Sequence, residues 1–91
     1  MGVQVRVPTP LRKLTDGQDK IDVAGSTVSE LIEHMDNDFP GFKERLLDES
    51  GGLRYFVNIY LNGEDVRFLD GVSTSTKSGD EISIVPAVAG G

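Results

Sequence analysis

Tyr55-Phe56-Val57-Asn58-Ile59-Tyr60-Leu61-Asn62-Gly63 is a run of β-branched and aromatic residues that stops at an Asn-Gly pair. Val57, Ile59 and Leu61 alternate with Asn58 and Tyr60, which is the period of a strand with one face on a core. Both positions of Asn62-Gly63 tolerate positive φ, so the pair predicts a tight hairpin turn and a short return strand around Val66 to Phe68. Further on, Ser78-Gly79-Asp80 predicts a turn into a last strand, Glu81-Ile82-Ser83-Ile84-Val85.

Upstream of this run, Val28, Leu31, Ile32 and Met35 fall at i, i+3, i+4 and i+7, so they form one apolar stripe of a helix whose other side carries Glu30, Glu33 and Asp36. Thr27 and Glu30 have the spacing of a capping box and mark its start. The segment Phe39-Pro40-Gly41-Phe42-Lys43-Glu44-Arg45-Leu46-Leu47 reads as a second, short helix with Phe42 and Leu46 inward, weakened by Gly41. Residues 48–52 read as an exposed, mobile loop. At the N-terminus, Val3, Val5 and Val7 alternate with Gln4 and Arg6 until Pro8 and Pro10 stop the strand. After the turn signal Thr15-Asp16-Gly17, Ile21 and Val23 return as a short edge strand.

The order strand, strand, helix, strand, short strand, strand is an α+β arrangement, a mixed sheet covered on one face by an amphipathic helix. A right-handed crossover through the helix would set the third strand in the same sheet as the first hairpin. This is the β-grasp pattern, the fold of ubiquitin. Residues 1–85 are expected to form the domain and residues 86–91 its tail.

Composition limits what such a domain can do. A chain of 91 residues has one core and buries roughly 60 to 65% of its unfolded surface. With 37% hydrophobic and 26% charged residues it is expected to fold alone. It contains no cysteine, which excludes a disulfide framework, a thiolate zinc site, an iron–sulfur cluster and a cysteine nucleophile. A net charge of −6 without any cluster of Lys and Arg argues against nucleic acid or an anionic membrane as partner. Neither a signal-peptide stretch nor a run of about 20 apolar residues is present, so the expected location is the cytoplasm.

The sequence ends in Pro86-Ala87-Val88-Ala89-Gly90-Gly91, directly after the last strand. Six extended residues reach about 20 Å, enough to put a terminal carboxylate into a partner's active site while the domain stays outside. Gly90 and Gly91 have no side chains to obstruct a narrow channel or to shield the carboxyl carbon. A carboxylate is a poor electrophile. A partner would have to convert it with ATP to an acyl adenylate, from which sulfide or a persulfide displaces AMP to leave a thiocarboxylate.

These residues resemble the ThiS/MoaD family of ubiquitin-like sulfur carrier proteins. The likeness covers nearly the whole chain and is densest in Phe56-Val57-Asn58-Ile59-Tyr60-Leu61-Asn62-Gly63-Glu64-Asp65-Val66-Arg67-Phe68, in Ser78-Gly79-Asp80-Glu81 and in the ending 86–91. Within the family the sequence is more similar to the carriers of mycobacterial-type cysteine synthesis than to molybdopterin synthase small subunits. It departs from the shorter ThiS proteins by the extra segment 39–54.

The resemblance implies that Gly91 is adenylated by a ubiquitin-activating-type enzyme and sulfurated, with Pro86, Ala87, Val88, Ala89 and Gly90 threading the partner's active site. The acceptor it implies is a cysteine synthase using pyridoxal phosphate, followed by a metallopeptidase that releases cysteine. A molybdopterin synthase large subunit, thiamin synthesis and tRNA thiolation are the other destinations. The chain itself would bind no cofactor stably, would not be an enzyme, and would have ATP spent on it by its activating enzyme.

Strand alternation also suggests a docking surface. If Val57, Ile59 and Leu61 face the helix, then Phe56, Asn58 and Tyr60 face outward, as does Val85 when Ile82 and Ile84 point in. Phe56, Tyr60 and Val85 are the apolar members of that surface. The one histidine, His34, has Asp36 and Asp38 nearby but no second histidine to complete a metal site, and it reads as a surface residue, as do Asp16, Asp19 and Asp22. Two other functions fit the same ending: a covalent modifier joined through Gly91 to lysines, because an adenylate acylates amines too, and a non-covalent β-grasp interaction domain with a passive tail.

Overall fold

The computed structural model describes residues 2–86. Among these, the strands are β1 (Val3–Arg6), β2 (Lys20–Val23), β3 (Val57–Leu61), β4 (Glu64–Asp65) and β5 (Glu81–Pro86), and the helices are α1 (Val28–Asp38) and α2 (Phe42–Leu46). One sheet forms in the order β2-β1-β5-β3-β4, with β1 and β5 parallel and the other neighbours antiparallel. The strand made last in the chain therefore lies at the centre of the sheet.

Period-two alternation sorts the two faces. Val3, Val5, Ile21, Val23, Val57, Ile59, Ile82 and Ile84 are buried and meet Val28, Leu31, Ile32 and Met35 of α1 in a single core. Phe42 and Leu46 of α2 join it as expected. β2 is an edge strand, and its exposed Lys20 and Asp22 discourage further pairing there. The Asn62-Gly63 turn has φ of 51° and 90°, as the hairpin requires. The Asn62 side chain also ties the sheet together: its Oδ1 accepts from the Glu81 N–H (3.0 Å), and its amide donates to the buried Asp80 (3.2 Å).

At the start of α1, the Glu30 N–H donates to Thr27 Oγ1 (3.1 Å). The Glu30 carboxylate accepts from the N–H and the hydroxyl of Ser26 (2.9 and 3.0 Å), one residue earlier than a standard capping box would place it. These two bonds, helped by the charge of His34, hold the Glu30 carboxyl below its ordinary range. Replacing Thr27 with Ala should cost about 1 kcal/mol in urea unfolding. Glu30 has a depressed folded value, so its contribution is present above the unfolded value and lost as pH falls through the folded one. The stability difference between wild type and Glu30→Gln should accordingly shrink on acidification.

The strand expected after the hairpin turn needs correction. The return after Asn62-Gly63 is β4, Glu64–Asp65; Val66–Phe68 is a turn of 3-10 helix and not a strand. The Asp65 carboxylate accepts from the Arg67 N–H (2.9 Å) and bends the chain, while Val66 turns fully into the core, so no ladder can continue. The segment Thr9–Thr15 after Pro8 is 3-10 helix and contributes Leu11 to the core. The loop 48–52 is exposed, as expected, but it is closed on itself. Asp48 accepts from the Ser50 hydroxyl, the Ser50 N–H and the Gly52 N–H (2.7, 2.9 and 3.1 Å), and these bonds, the hydroxyl first, hold its carboxyl low.

Candidate functional site

The C-terminal tail is rooted in the middle of the sheet. β5 pairs with β1 along Glu81–Ser83 and with β3 along Ile82–Pro86, where Pro86 stands opposite Val57. Pro86, expected as the first tail residue, is thus the last residue of the central strand, and its missing N–H is tolerated at the strand's very end. Ala87, Val88, Ala89, Gly90 and Gly91 lie outside the described residues.

The outward face of the sheet carries Asn58 and Tyr60 on β3, with Ser83 and Val85 beside them on β5. Val85 is 44% exposed and Tyr60 half-buried, as the alternation predicted. Phe56 does not join them. It precedes β3, where strand alternation no longer governs direction, and it packs half-buried against the core; its neighbour Tyr55 stands edge-on to it (5.4 Å between rings) and is 89% exposed. The docking surface read from sequence is therefore corrected at Phe56.

Sequence reasoning missed three residues of this region. The Arg67 guanidinium donates to Asn58 Oδ1 (2.7 Å) and to the Arg54 carbonyl oxygen (2.5 Å), which locks a cation beside the Val85 row. Phe68, next in sequence to Arg67, is 86% exposed, and Tyr55 follows Arg54. Both aromatics are bare, and each is next in sequence to an arginine of this hydrogen-bonded pair. The available signal was the Asp65 spacing to Arg67, which turns Phe68 away from the sheet ladder.

His34 and Asp36 are engaged locally. The His34 Nδ1 contacts the Ala24 carbonyl oxygen, and Asp36 accepts from the N–H groups of Gly41 and Lys43 (3.0 and 3.1 Å), which fixes the start of α2. Lys43 pairs with Glu33, which pushes its ammonium up. Among the described residues no three of His, Asp and Glu come together in a way that could hold a metal ion.

Sheet order, covering helix and a central last strand leading to a Gly-Gly ending define a ubiquitin-like β-grasp protein. The ThiS family model matches residues 5–91, and the chain belongs to the ThiS family. Over its full length it is 46% identical to the sulfur carrier protein CysO of Mycobacterium tuberculosis, all of which is covered. A chain of the crystal structure of the Amycolatopsis orientalis BexX/CysO complex superposes with a TM-score of 0.93 at 43% identity, over 99% of this chain and 100% of that one. Small archaeal modifier protein 3 of Haloferax volcanii is 36% identical over 66 residues, 72% of this chain and 71% of its own. This protein is thus a full-length homologue of a sulfur carrier.

Proposed function

We propose that this chain carries sulfur for cysteine biosynthesis as the thiocarboxylate of its own Gly91. The observation that carries the reading is that the family likeness runs through the last residue, Gly91, beyond a strand that roots the tail in the sheet. A ubiquitin-activating-type enzyme attacks ATP with the Gly91 carboxylate, forming the acyl adenylate and releasing pyrophosphate. Sulfide then displaces AMP and leaves Gly91 as a thiocarboxylate. On a cysteine synthase the thiocarboxylate sulfur replaces the leaving group of an activated serine, giving a thioester that rearranges to an amide between Gly91 and the new cysteine; a metallopeptidase hydrolyses that amide, freeing cysteine and restoring the Gly91 carboxylate. The carrier is a co-substrate in each step, in the cytoplasm where ATP is at hand, and needs neither a cofactor nor a catalytic side chain.

The test is intact mass after incubation with ATP, sulfide and an activating enzyme from the same cell. A gain equal to the exchange of one oxygen for one sulfur is expected. No gain, with an enzyme proven on another carrier, would refute the reading.

Docking of the activating enzyme is assigned to the outward face. Tyr60 and Val85 lie on it, and Arg67 reaches Asn58 there. Tyr60→Glu should raise the KM for the carrier in adenylation on the order of tenfold, since a half-buried contact becomes a charge needing solvation, while the thermal midpoint stays near wild type. Unaltered kinetics would remove Tyr60 from the surface.

The likeness to an archaeal modifier favours a second reading, conjugation to lysines of other proteins through the same adenylate. Mass-shifted conjugates in a lysate, absent when Gly91 is deleted, would establish it.

A further inference from the structure

At the end of the sheet where Pro86 leaves off lies a cavity of about 280 Å³ that the reading above does not use. Pro86 is one wall, and Leu11, Leu46, Phe56 and Val57 supply the apolar remainder. The cavity sits on the α2 side, away from the row of Tyr60 and Val85: Leu11, Leu46 and Val57 belong to the core, and Phe56 packs against it. Its rim is cationic. Arg45 and Arg54 stand there with the single carboxylate of Glu44, and Arg54 spends its Nε–H on the Glu44 carbonyl oxygen (3.0 Å). Among the described residues neither arginine forms an ion pair. Asp48 of the neighbouring loop acts on the charge of Arg54, so Arg45 is the rim cation that meets an incoming charge over this apolar recess.

Resting on the sulfur-carrier reading, we infer that this cavity seats an apolar side chain flanked by a carboxylate, presented by the enzyme that draws the tail in. Five residues beyond Pro86 span about 17 Å at most. An enzyme holding Gly91 in its active site therefore lies close against this end of the domain. The recess has room for one leucine- or phenylalanine-sized side chain, and burying one there removes apolar surface from water on both partners. A carboxylate beside it meets Arg45, and a basic segment does not. A second copy of this chain is a poor occupant because two surfaces of net charge −6 repel.

Glu44 and Arg45 are adjacent, exposed and of opposite charge, which makes them a matched pair of probes. Sulfur loading by the activating enzyme and sulfur delivery to the acceptor enzyme are measured as a function of carrier concentration, for wild type, Arg45→Glu and Glu44→Arg. In at least one of the two steps Arg45→Glu should raise the KM about tenfold and Glu44→Arg should lower it, with kcat little changed. Both differences should diminish at high salt. A general disturbance of α2 would move both variants in the same direction, and that result, or no change in either step, would overturn the seat. If wild type is never loaded with sulfur, the carrier reading falls and takes the seat with it; if wild type is loaded and the variants match it, the seat alone falls.

Discussion

A chain lacking Gly91 is expected to fold as the complete protein does and to be almost inert toward its activating enzyme. The new terminal carboxylate, on Gly90, is chemically equivalent to the old one, so any loss measures position. Deletion withdraws the reacting carbon by about 3.5 Å, one extended residue. A misplacement of about 1 Å already costs on the order of a hundredfold in well-oriented reactions. Adenylation should fall by at least about a hundredfold as measured by pyrophosphate release. The thermal midpoint should not move, because β5 ends at Pro86 and the pairing that stabilises the sheet precedes the deleted residue. A truncated chain that retained most of its adenylation would show that the tail is not read by its length, and would remove Gly91 from the centre of the mechanism.

The second large effect concerns stability. Phe42→Ala should cost about 3 to 5 kcal/mol, the range for emptying a fully buried aromatic site. Phe42 is 0% exposed and heads the largest fully buried side chains, although α2 is only five residues long and is entered through Gly41 at φ 115°. So short a helix has little stability of its own; it is held by what it buries. Against a typical total of about 5 to 15 kcal/mol for a small domain, such a loss lowers the thermal midpoint on the order of 20 °C. Phe42→Leu, which keeps most of the volume, should cost about 1.5 kcal/mol or less. A Phe42→Ala variant within about 1 kcal/mol of wild type would mean that α2 is a surface appendage and that the cavity it walls is not part of a fixed structure.

The outward face and the tail root work together in this picture. Tyr60 of β3 and Val85 of β5 lie on one side of the sheet, and the Leu11–Phe56–Pro86 recess opens on the other. Enzymes that handle the same tail in succession can then grip different sides of one root.

The elements legible in the sequence were those defined by neighbours a few residues apart. Alternation placed Val57, Ile59, Ile82 and Ile84 inward, helical period placed Leu31, Ile32 and Met35, and Thr27 and Asn62-Gly63 marked a helix start and a turn. Each rests on backbone geometry or on local hydrogen bonds, which any folded context preserves. Tertiary structure alone decided that β5 enters between β1 and β3, parallel to the first and antiparallel to the second, because pairing between distant segments depends on which apolar faces meet. It decided also that Phe56, just outside the strand, turns onto the core while Tyr55 and Phe68 stay bare, and that Arg67 crosses to Asn58 and Arg54. The Arg67 contacts span 9 and 13 positions and the β1–β5 pairs span 77 (81 − 4), and no local period encodes them.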